Sequence, residues 1–240
     1  MPGLYKDEGI VLRTIKLGEA DRIVTLFTRD GGKVRAVAKG VRKTKSRFGG
    51  RLEPFTRVSL LIYRGRDLDT ITSADILTSF REVREDYLKL TGAAAMAEAV
   101  EKITPERERA FSVYALLLAG LRTLAAAPAA TIVPAFLVKL LSISGYHPQL
   151  TVCAGCGEPS GLGAFSPATG GVVCEVCWRE DRDSFRMDPD RIALLGRLLA
   201  SDFGCEADPA ATLEVTRALR RYAEYHLERP LRSLHLLTAS

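Results

Sequence analysis

Two features that would place this chain in a membrane or outside the cell are missing from its sequence. The apolar stretch at residues 114–130 is interrupted by Arg122, and the first residues hold no apolar segment of the kind that a secretion signal needs. We therefore expect a cytoplasmic protein in a reducing compartment. There, the five cysteines are better explained as metal ligands than as disulfides.

The sequence also lacks the motifs of enzymes that act on nucleotides. It contains no glycine-rich phosphate-binding loop, so ATP hydrolysis has no recognisable machinery. His226 and Glu228 match half of a zinc deaminase signature, but both cysteine pairs precede them, which is the reverse of the required order. Two acidic pairs in turn-like sequence are interpreted as solvated residues: Asp67 with Asp69, and Asp181 with Asp183. We expect no enzymatic activity, with a nuclease or a deaminase as the alternative.

Positive charge is confined to the first third of the chain. Residues 1–80 hold 16 Lys and Arg against 9 Asp and Glu, a net charge of +7, whereas residues 81–240 carry −2. A phosphate-binding surface concentrates charge in this way, while a generally basic protein spreads it. The sequence therefore indicates a polyanionic partner for the N-terminal part.

This N-terminal part has the pattern of a β-structure. Segments rich in β-branched residues, separated by turn signals such as Asp30-Gly31-Gly32, predict strands at residues 9–15, 21–28, 33–39, 56–63 and 68–74. Five strands in so short a segment predict a small closed barrel. The pattern alone fits both an OB-fold and an SH3-like barrel.

From residue 80 onwards the pattern becomes helical. Helices are predicted at residues 80–103, 104–126, 131–144, 188–201 and 209–227, and Thr104 with Pro105 marks the start of the second. We predict an α+β fold with two domains, a nucleic-acid-binding barrel of residues 1–79 and a helical domain of residues 80–240. A metal module at residues 146–187 is inserted in the helical domain.

Four cysteines form two Cys-x-x-Cys pairs, Cys153 with Cys156 and Cys174 with Cys177, separated by seventeen residues. Each pair can direct two thiolates at one point, and two such pairs complete a tetrahedral site suited to one Zn²⁺. Four protein ligands leave no position for water, which favours structural over catalytic zinc. A redox pair and an empty site are the alternatives, and Cys205 is expected to be a bystander.

A basic segment comprises the third predicted strand and the residues that follow it. Residues 33–52 contain eight basic side chains and no acidic one: Lys33, Arg35, Lys39, Arg42, Lys43, Lys45, Arg47 and Arg51. Such a one-signed cluster predicts binding to nucleic acid phosphates, with an affinity that falls as salt rises. Phe48 lies inside the segment and is predicted to stack on unpaired bases, while Phe27, Phe55 and Tyr63 are assigned to the barrel core.

Several stretches together resemble the RecO family of bacterial DNA-repair and recombination mediators. In the N-terminal part they are GIVLR at 9–13, GEADR at 18–22, LFT at 26–28, GGK at 31–33 and AKG at 38–40, with Ser46 and Arg47. Further along, LLSISGY at 140–146 leads through Pro148 into Cys153-x-x-Cys156-Gly157, and the second cysteine pair completes the match. The resemblance covers nearly the whole chain.

The resemblance implies an N-terminal OB-fold, a helical domain and a zinc-ribbon insertion. It also implies binding to single- and double-stranded DNA and annealing of complementary strands. A further implied activity is assistance, together with RecR, in replacing single-strand-binding protein (SSB) by RecA recombinase. The implied partners are therefore DNA, RecR and the acidic C-terminal tail of SSB. A zinc-ribbon protein that binds RNA or a polymerase is the alternative function.

Overall fold

The chain divides into two compact units, Met1–Ala125 and Ala126–Ser240. The computed structural model describes residues 3–127, 130–201 and 203–238. The first unit contains the barrel and the three helices that follow it, and the second contains the cysteine pairs. The domain boundary after residue 79 stays a prediction.

The barrel consists of five strands in the order β1-β2-β3-β5-β4, closed by pairing of β4 with β1. The strands are β1 (Leu4–Leu17), β2 (Asp21–Thr28), β3 (Gly32–Ala38), β4 (Arg57–Tyr63) and β5 (Asp69–Thr78). All neighbours are antiparallel except β3 and β5, which pair in parallel over a short stretch. This is an OB-like barrel, and the prediction of an OB-fold followed by helices is confirmed.

Strand β3 shows how the sequence directs charge to the outside of the barrel. Its residues alternate strictly between the buried side, which includes Val34 and Ala36, and the half-buried side, which includes Lys33 and Arg35. Because successive side chains of a strand point to opposite faces, the apolar residues fill the core. The basic residues of β3 consequently lie on the outer surface.

Three helices complete the first unit: α1 (Arg81–Glu85), α2 (Tyr87–Ile103) and α3 (Phe111–Ala126). The single helix predicted at 80–103 is broken at Asp86, which has extended backbone and whose carboxylate accepts hydrogen bonds from the first turn of α2. The predicted start of α3 at residues 104–105 is wrong. Arg107 instead has a left-handed backbone and donates its N–H to the carbonyl of Lys33 at 2.9 Å, so this stretch pairs with β3.

The second unit combines helices with a small three-stranded sheet. Its elements are α4 (Ile132–Ile143), β6 (Leu162–Ser166), β7 (Gly171–Cys174), α5 (Glu175–Glu180), β8 (Phe185–Arg186), α6 (Pro189–Ala200), α7 (Pro209–Leu227) and α8 (Arg232–Thr238). The sheet has the order β7-β6-β8, and α4, α6 and α7 pack on one another. In the described part of the chain, no helix is both long and apolar enough for a membrane span.

Candidate nucleic-acid interface and metal centre

The segment between β3 and β4 forms a tethered loop, which we call the basic loop and define as residues 39–51. The Gly40 N–H donates to the carboxylate of Asp21 at 2.7 Å. The backbone N–H of Arg42 donates to the Ala20 carbonyl, and its guanidinium donates to the Glu19 carbonyl, both at 2.9 Å. These bonds tie the start of the loop to the turn between β1 and β2.

Phe48 anchors the middle of the basic loop inside the barrel. Its side chain is only 1% exposed and packs in the core together with Leu52. The predicted role of Phe48 as a base-stacking platform is therefore wrong, because a ring this buried has no face to offer a base. The physical reason is that the loop covers the barrel core and an apolar ring fills it. The Arg47 guanidinium lies over this ring, 4.9 Å from its centroid.

Substitutions of Phe48 distinguish a role in anchoring the basic loop in the barrel core from a role in stacking on bases. Phe48→Ala is expected to destabilise the protein by about 3–5 kcal/mol, the usual cost of deleting a buried phenyl ring. Phe48→Leu should recover much of this stability and bind DNA as the wild type does. Urea unfolding and fluorescence anisotropy with labelled DNA measure the two effects. A Phe48→Leu variant that folds normally but binds DNA poorly would show that the ring does contact bases.

Lys33 also departs from its predicted role. Its ammonium is part-buried and donates to the carbonyls of Glu101 and Thr104, each at 2.6 Å, at the C-terminal end of α2. Cations are favoured there by the helix dipole. Lys33 therefore fastens α2 to the barrel, and the prediction that it binds phosphates is wrong.

The other basic side chains of residues 33–52 remain in a common segment without ion-pair partners. Apart from Lys33, none of them pairs with a carboxylate in the described part of the chain. Arg35 and Arg51 are half-buried, and five are exposed: Lys39, Arg42, Lys43, Lys45 and Arg47. Their charge is thus left uncompensated by any carboxylate of the described residues.

Nearby carboxylates are engaged elsewhere. Asp30, before the segment, pairs with Arg109 at 3.0 Å, and Glu53, after it, lies 3.8 Å from Arg22. Two arginines outside the segment are likewise paired, Arg13 with Glu101 and Arg57 with Glu8, both at 2.7 Å. These arginines are therefore partly neutralised, whereas the cations of the basic loop have no ion-pair partner in the described residues.

The four cysteines come together in the second unit. One sulfur from each of Cys153, Cys156, Cys174 and Cys177 lies within 4.8 Å of the others. The sulfurs of Cys156 and Cys174 are 3.8 Å apart. A tetrahedral site with Zn–S bonds of about 2.3 Å requires sulfurs about 3.8 Å apart. The quartet could therefore hold a metal ion.

Backbone geometry holds each pair in position. In the first pair, the Gly157 N–H donates to the Cys153 carbonyl at 2.8 Å. In the second, Cys174 ends β7 and Cys177 lies in α5. A Cβ at Gly155 would lie 3.0 Å from the Cys177 sulfur, so a side chain there would force this ligand to shift by a few tenths of an ångström. The sequence spacing predicted this cluster, but the helical setting of Cys177 was not predicted.

The surroundings of Cys153 favour the thiolate form of its side chain. Burial acts to raise the pKa of the Cys153 thiol, but hydrogen bonds to the sulfur from the backbone N–H groups of Cys174, Cys156 and Gly155 lower the pKa to about 6. Since metal ligands must be deprotonated, such N–H donors favour metal binding near neutral pH. Cys205 lies outside this cluster, and its thiol faces the Glu206 carbonyl.

His226, near the end of α7, lies among aromatic rings. Its ring stacks on Tyr146 with centroids 4.5 Å apart and meets Tyr222 edge-on at 4.8 Å. Its Nε2 atom is buried without a hydrogen-bond partner among the described residues, and burial lowers the pKa of the imidazole. A cation is ordinarily favoured near the C-terminal end of a helix, but desolvation disfavours the charged form of this imidazole.

We predict that His226 titrates below the ordinary histidine pKa of about 6.5. The folded state then favours the neutral ring, so the contribution to stability is complete above that pH and is lost as the pH falls towards the lowered value. NMR titration of the imidazole resonances measures this directly. Tyr146→Ala, which uncovers one face, should move the pKa back up, and an ordinary pKa in the wild type would contradict the prediction.

An OB-like barrel with an uncompensated basic loop, followed by a helical unit with a four-cysteine centre, defines a class of nucleic-acid-associated proteins. Residues 1–80 match the family described as Recombination protein O N terminal, and residues 84–235 match Recombination protein O C terminal. The chain belongs to the RecO family, and the resemblance seen in the sequence is confirmed.

Full-length relatives support this assignment. A protein named DNA repair protein RecO from a Nocardioides species is 46% identical, over 96% of this chain and 98% of its own length. Its namesake from Frankia casuarinae is 45% identical, over 98% of both chains. Another from Streptomyces coelicolor is 43% identical, over 96% of this chain and 97% of its own.

Proposed function

We propose that this protein is a DNA-repair and recombination mediator without enzymatic activity, which binds single- and double-stranded DNA and anneals complementary strands. The proposal extends to helping RecA load onto SSB-coated DNA, together with RecR and through the SSB tail. The relatives' name supports the DNA-repair role. The observation that carries the proposal is the basic loop, whose cations have no carboxylate partners in the described residues.

Annealing follows from this charge distribution. Two complementary strands repel each other through their phosphates until cations neutralise them, and base pairing then drives the reaction without nucleotide hydrolysis. Such cations are supplied by the exposed side chains of Lys39, Lys43 and Lys45. The neighbouring arginines supply further positive charge: Arg35, Arg42, Arg47 and Arg51. Because the loop is tethered at Gly40 and anchored at Phe48, the cations are presented from a fixed backbone.

The metal at the cysteine quartet is proposed to be one structural Zn²⁺. A bound zinc ion would cross-link the two cysteine pairs and so hold the ends of the β6–β7 ribbon together. Cys153 and Cys174 are buried, as expected of a bracing site, and all four ligand positions are filled by protein. This centre stabilises the second unit, and no chemical step is assigned to it.

An annealing assay at two salt concentrations, with and without SSB, tests the proposed function. We expect annealing of complementary oligonucleotides without ATP, faster at the lower salt concentration. We also expect the strands to remain intact after incubation with Mg²⁺ or Zn²⁺. Strands that are cut or deaminated would instead indicate an enzyme. Tight binding to RNA but not to DNA would indicate the RNA-binding alternative.

A further inference from the structure

The four cysteines of the metal centre are not equally shielded from solvent. Cys153 and Cys174 are buried, with 2% and 7% of their surfaces exposed, and Cys177 is half-buried. Cys156 is exposed and lies in the turn of the first pair, outside any helix or strand. A reagent that arrives from solvent therefore reaches Cys156 most readily.

A second sulfur lies within reach of Cys156. The sulfur of Cys174, which belongs to the other pair, is 3.8 Å from that of Cys156. A disulfide places its sulfurs about 2.05 Å apart, so the two atoms need to approach each other by about 1.8 Å. Cys156 lies between Gly155 and Gly157, and glycines allow the backbone of such a turn to adjust. The exposed sulfur can thus join the buried one.

The reactivity of the four sulfurs is determined by their exposure when a metal is bound. A thiol that coordinates a metal is deprotonated, so all four sulfurs are then thiolates. Thiolates are the form that hydroperoxides oxidise, and susceptibility increases with access to solvent. Exposure therefore selects Cys156 over the buried Cys153, although backbone donors favour the thiolate of Cys153 in the absence of a metal.

We propose that the cysteine quartet is an oxidation site, at which hydrogen peroxide converts Cys156 and Cys174 into a disulfide. The Cys156 thiolate attacks one peroxide oxygen, the O–O bond breaks, and the products are a sulfenic acid and a hydroxide ion. The Cys174 thiolate then attacks the sulfenic sulfur, which forms the S–S bond and releases a second hydroxide ion. The two sulfurs lose two electrons in total, and the peroxide gains them.

This disulfide removes two of the four metal ligands. Cys153 and Cys177 alone do not complete a tetrahedral site, so the metal is released and the second unit loses a stabilising cross-link. A dithiol reverses the change by thiol–disulfide exchange, after which the metal can bind again. The inference rests on the proposed metal centre and goes beyond the proposed DNA-binding function.

Hydrogen peroxide added to the zinc-loaded protein tests the proposal. We expect the release of one zinc ion per chain, measured with a chromogenic chelator, together with the loss of two thiols. Trp178, the single tryptophan of the chain, packs against the cysteine cluster, so its fluorescence should change at the same rate. Dithiothreitol with added Zn²⁺ should restore the metal content, the thiols and the fluorescence.

Peptide mapping of the oxidised wild type identifies the bond that forms. Chymotrypsin cleaves after Phe165 and glutamyl endopeptidase after Glu175, which places Cys156, Cys174 and Cys177 on three different peptides. Mass spectrometry should find the peptide of Cys156 linked to that of Cys174. This measurement needs no variant, so it decides the proposal even where a substitution weakens zinc binding.

Two matched variants test the role of the exposed sulfur. Cys156→His and Cys177→His each leave three thiolates and one imidazole, a ligand set that zinc accepts. Cys156→His lacks the exposed thiolate and should release zinc at least about tenfold more slowly in peroxide than Cys177→His does. Cys205→Ser should release zinc at the wild-type rate, because Cys205 lies outside the quartet.

Three results would overturn the inference and leave the proposed DNA binding intact. The first is a wild-type protein that keeps its zinc and its thiols in peroxide. The second is oxidation that joins cysteines other than Cys156 and Cys174. The third is an equal rate of zinc release from Cys156→His and Cys177→His. A wild-type chain that binds no zinc would instead contradict the proposed metal centre.

Discussion

Reversing two lysines of the basic loop, in Lys43→Glu/Lys45→Glu, should weaken binding to single-stranded DNA by at least about tenfold and flatten its salt dependence. Each lost phosphate contact lowers the slope of log K against log salt by about 0.7 on a single strand. Reversal adds repulsion to that loss. Both side chains are exposed and have no ion-pair partner in the described residues, so their replacement breaks no ion pair there.

The control for this result is Lys6→Glu/Arg122→Glu, which makes the same change of net charge in the first unit. Both residues are exposed and lie outside the basic loop. DNA affinity of this variant should stay within about twofold of the wild type, because neither residue belongs to the proposed phosphate-binding segment and exposed charges are screened by salt. Equal losses in the two variants would mean that overall charge, and not the loop, determines binding.

Removing one ligand of the cysteine quartet should have the largest effect on stability. Cys153→Ser replaces a buried thiolate ligand, and we expect metal content to fall well below one ion per chain and the second unit to unfold at lower temperature. Structural zinc contributes about 10–16 kcal/mol of binding energy in small zinc modules, so its loss is costly. Metal analysis and thermal unfolding measure both effects.

Cys205→Ser is the matched control, since Cys205 is the fifth cysteine and lies outside the quartet. It should retain the metal and the stability of the wild type. The proposed DNA contacts of the basic loop, which belongs to the other unit, should change little in either variant. Full zinc occupancy in Cys153→Ser would exclude the four-thiolate site.

The sequence predicted those features that depend on local pattern. Strand β3 alternates apolar and basic residues, and the turn at residues 30–32 precedes it, so both the strand and its outward charges were predictable. The cysteine cluster follows from the spacing of the two cysteine pairs, because two short turns meet once β6 and β7 pair. The helices at 188–201 and 209–227 likewise follow from their proline starts.

Features set by distant contacts were not predictable. Phe48 lies in an irregular loop, where no period indicates which side chains face the core. Lys33 binds carbonyls about seventy residues further along the chain, and Arg107 pairs with β3 in place of the helix start that Thr104 and Pro105 indicate. In each case a tertiary contact outweighed the local preference, as packing commonly does.

Because Phe48 anchors the basic loop, the heat-capacity change of the proposed DNA binding can be predicted. A disordered basic tail must become ordered when it binds, which costs conformational entropy and produces a large heat-capacity change. In the basic loop the backbone is already fixed at Gly40 and Phe48, so only the ends of long side chains have to be ordered. Calorimetry of the association should therefore show a small heat-capacity change, of the kind found when rigid surfaces meet.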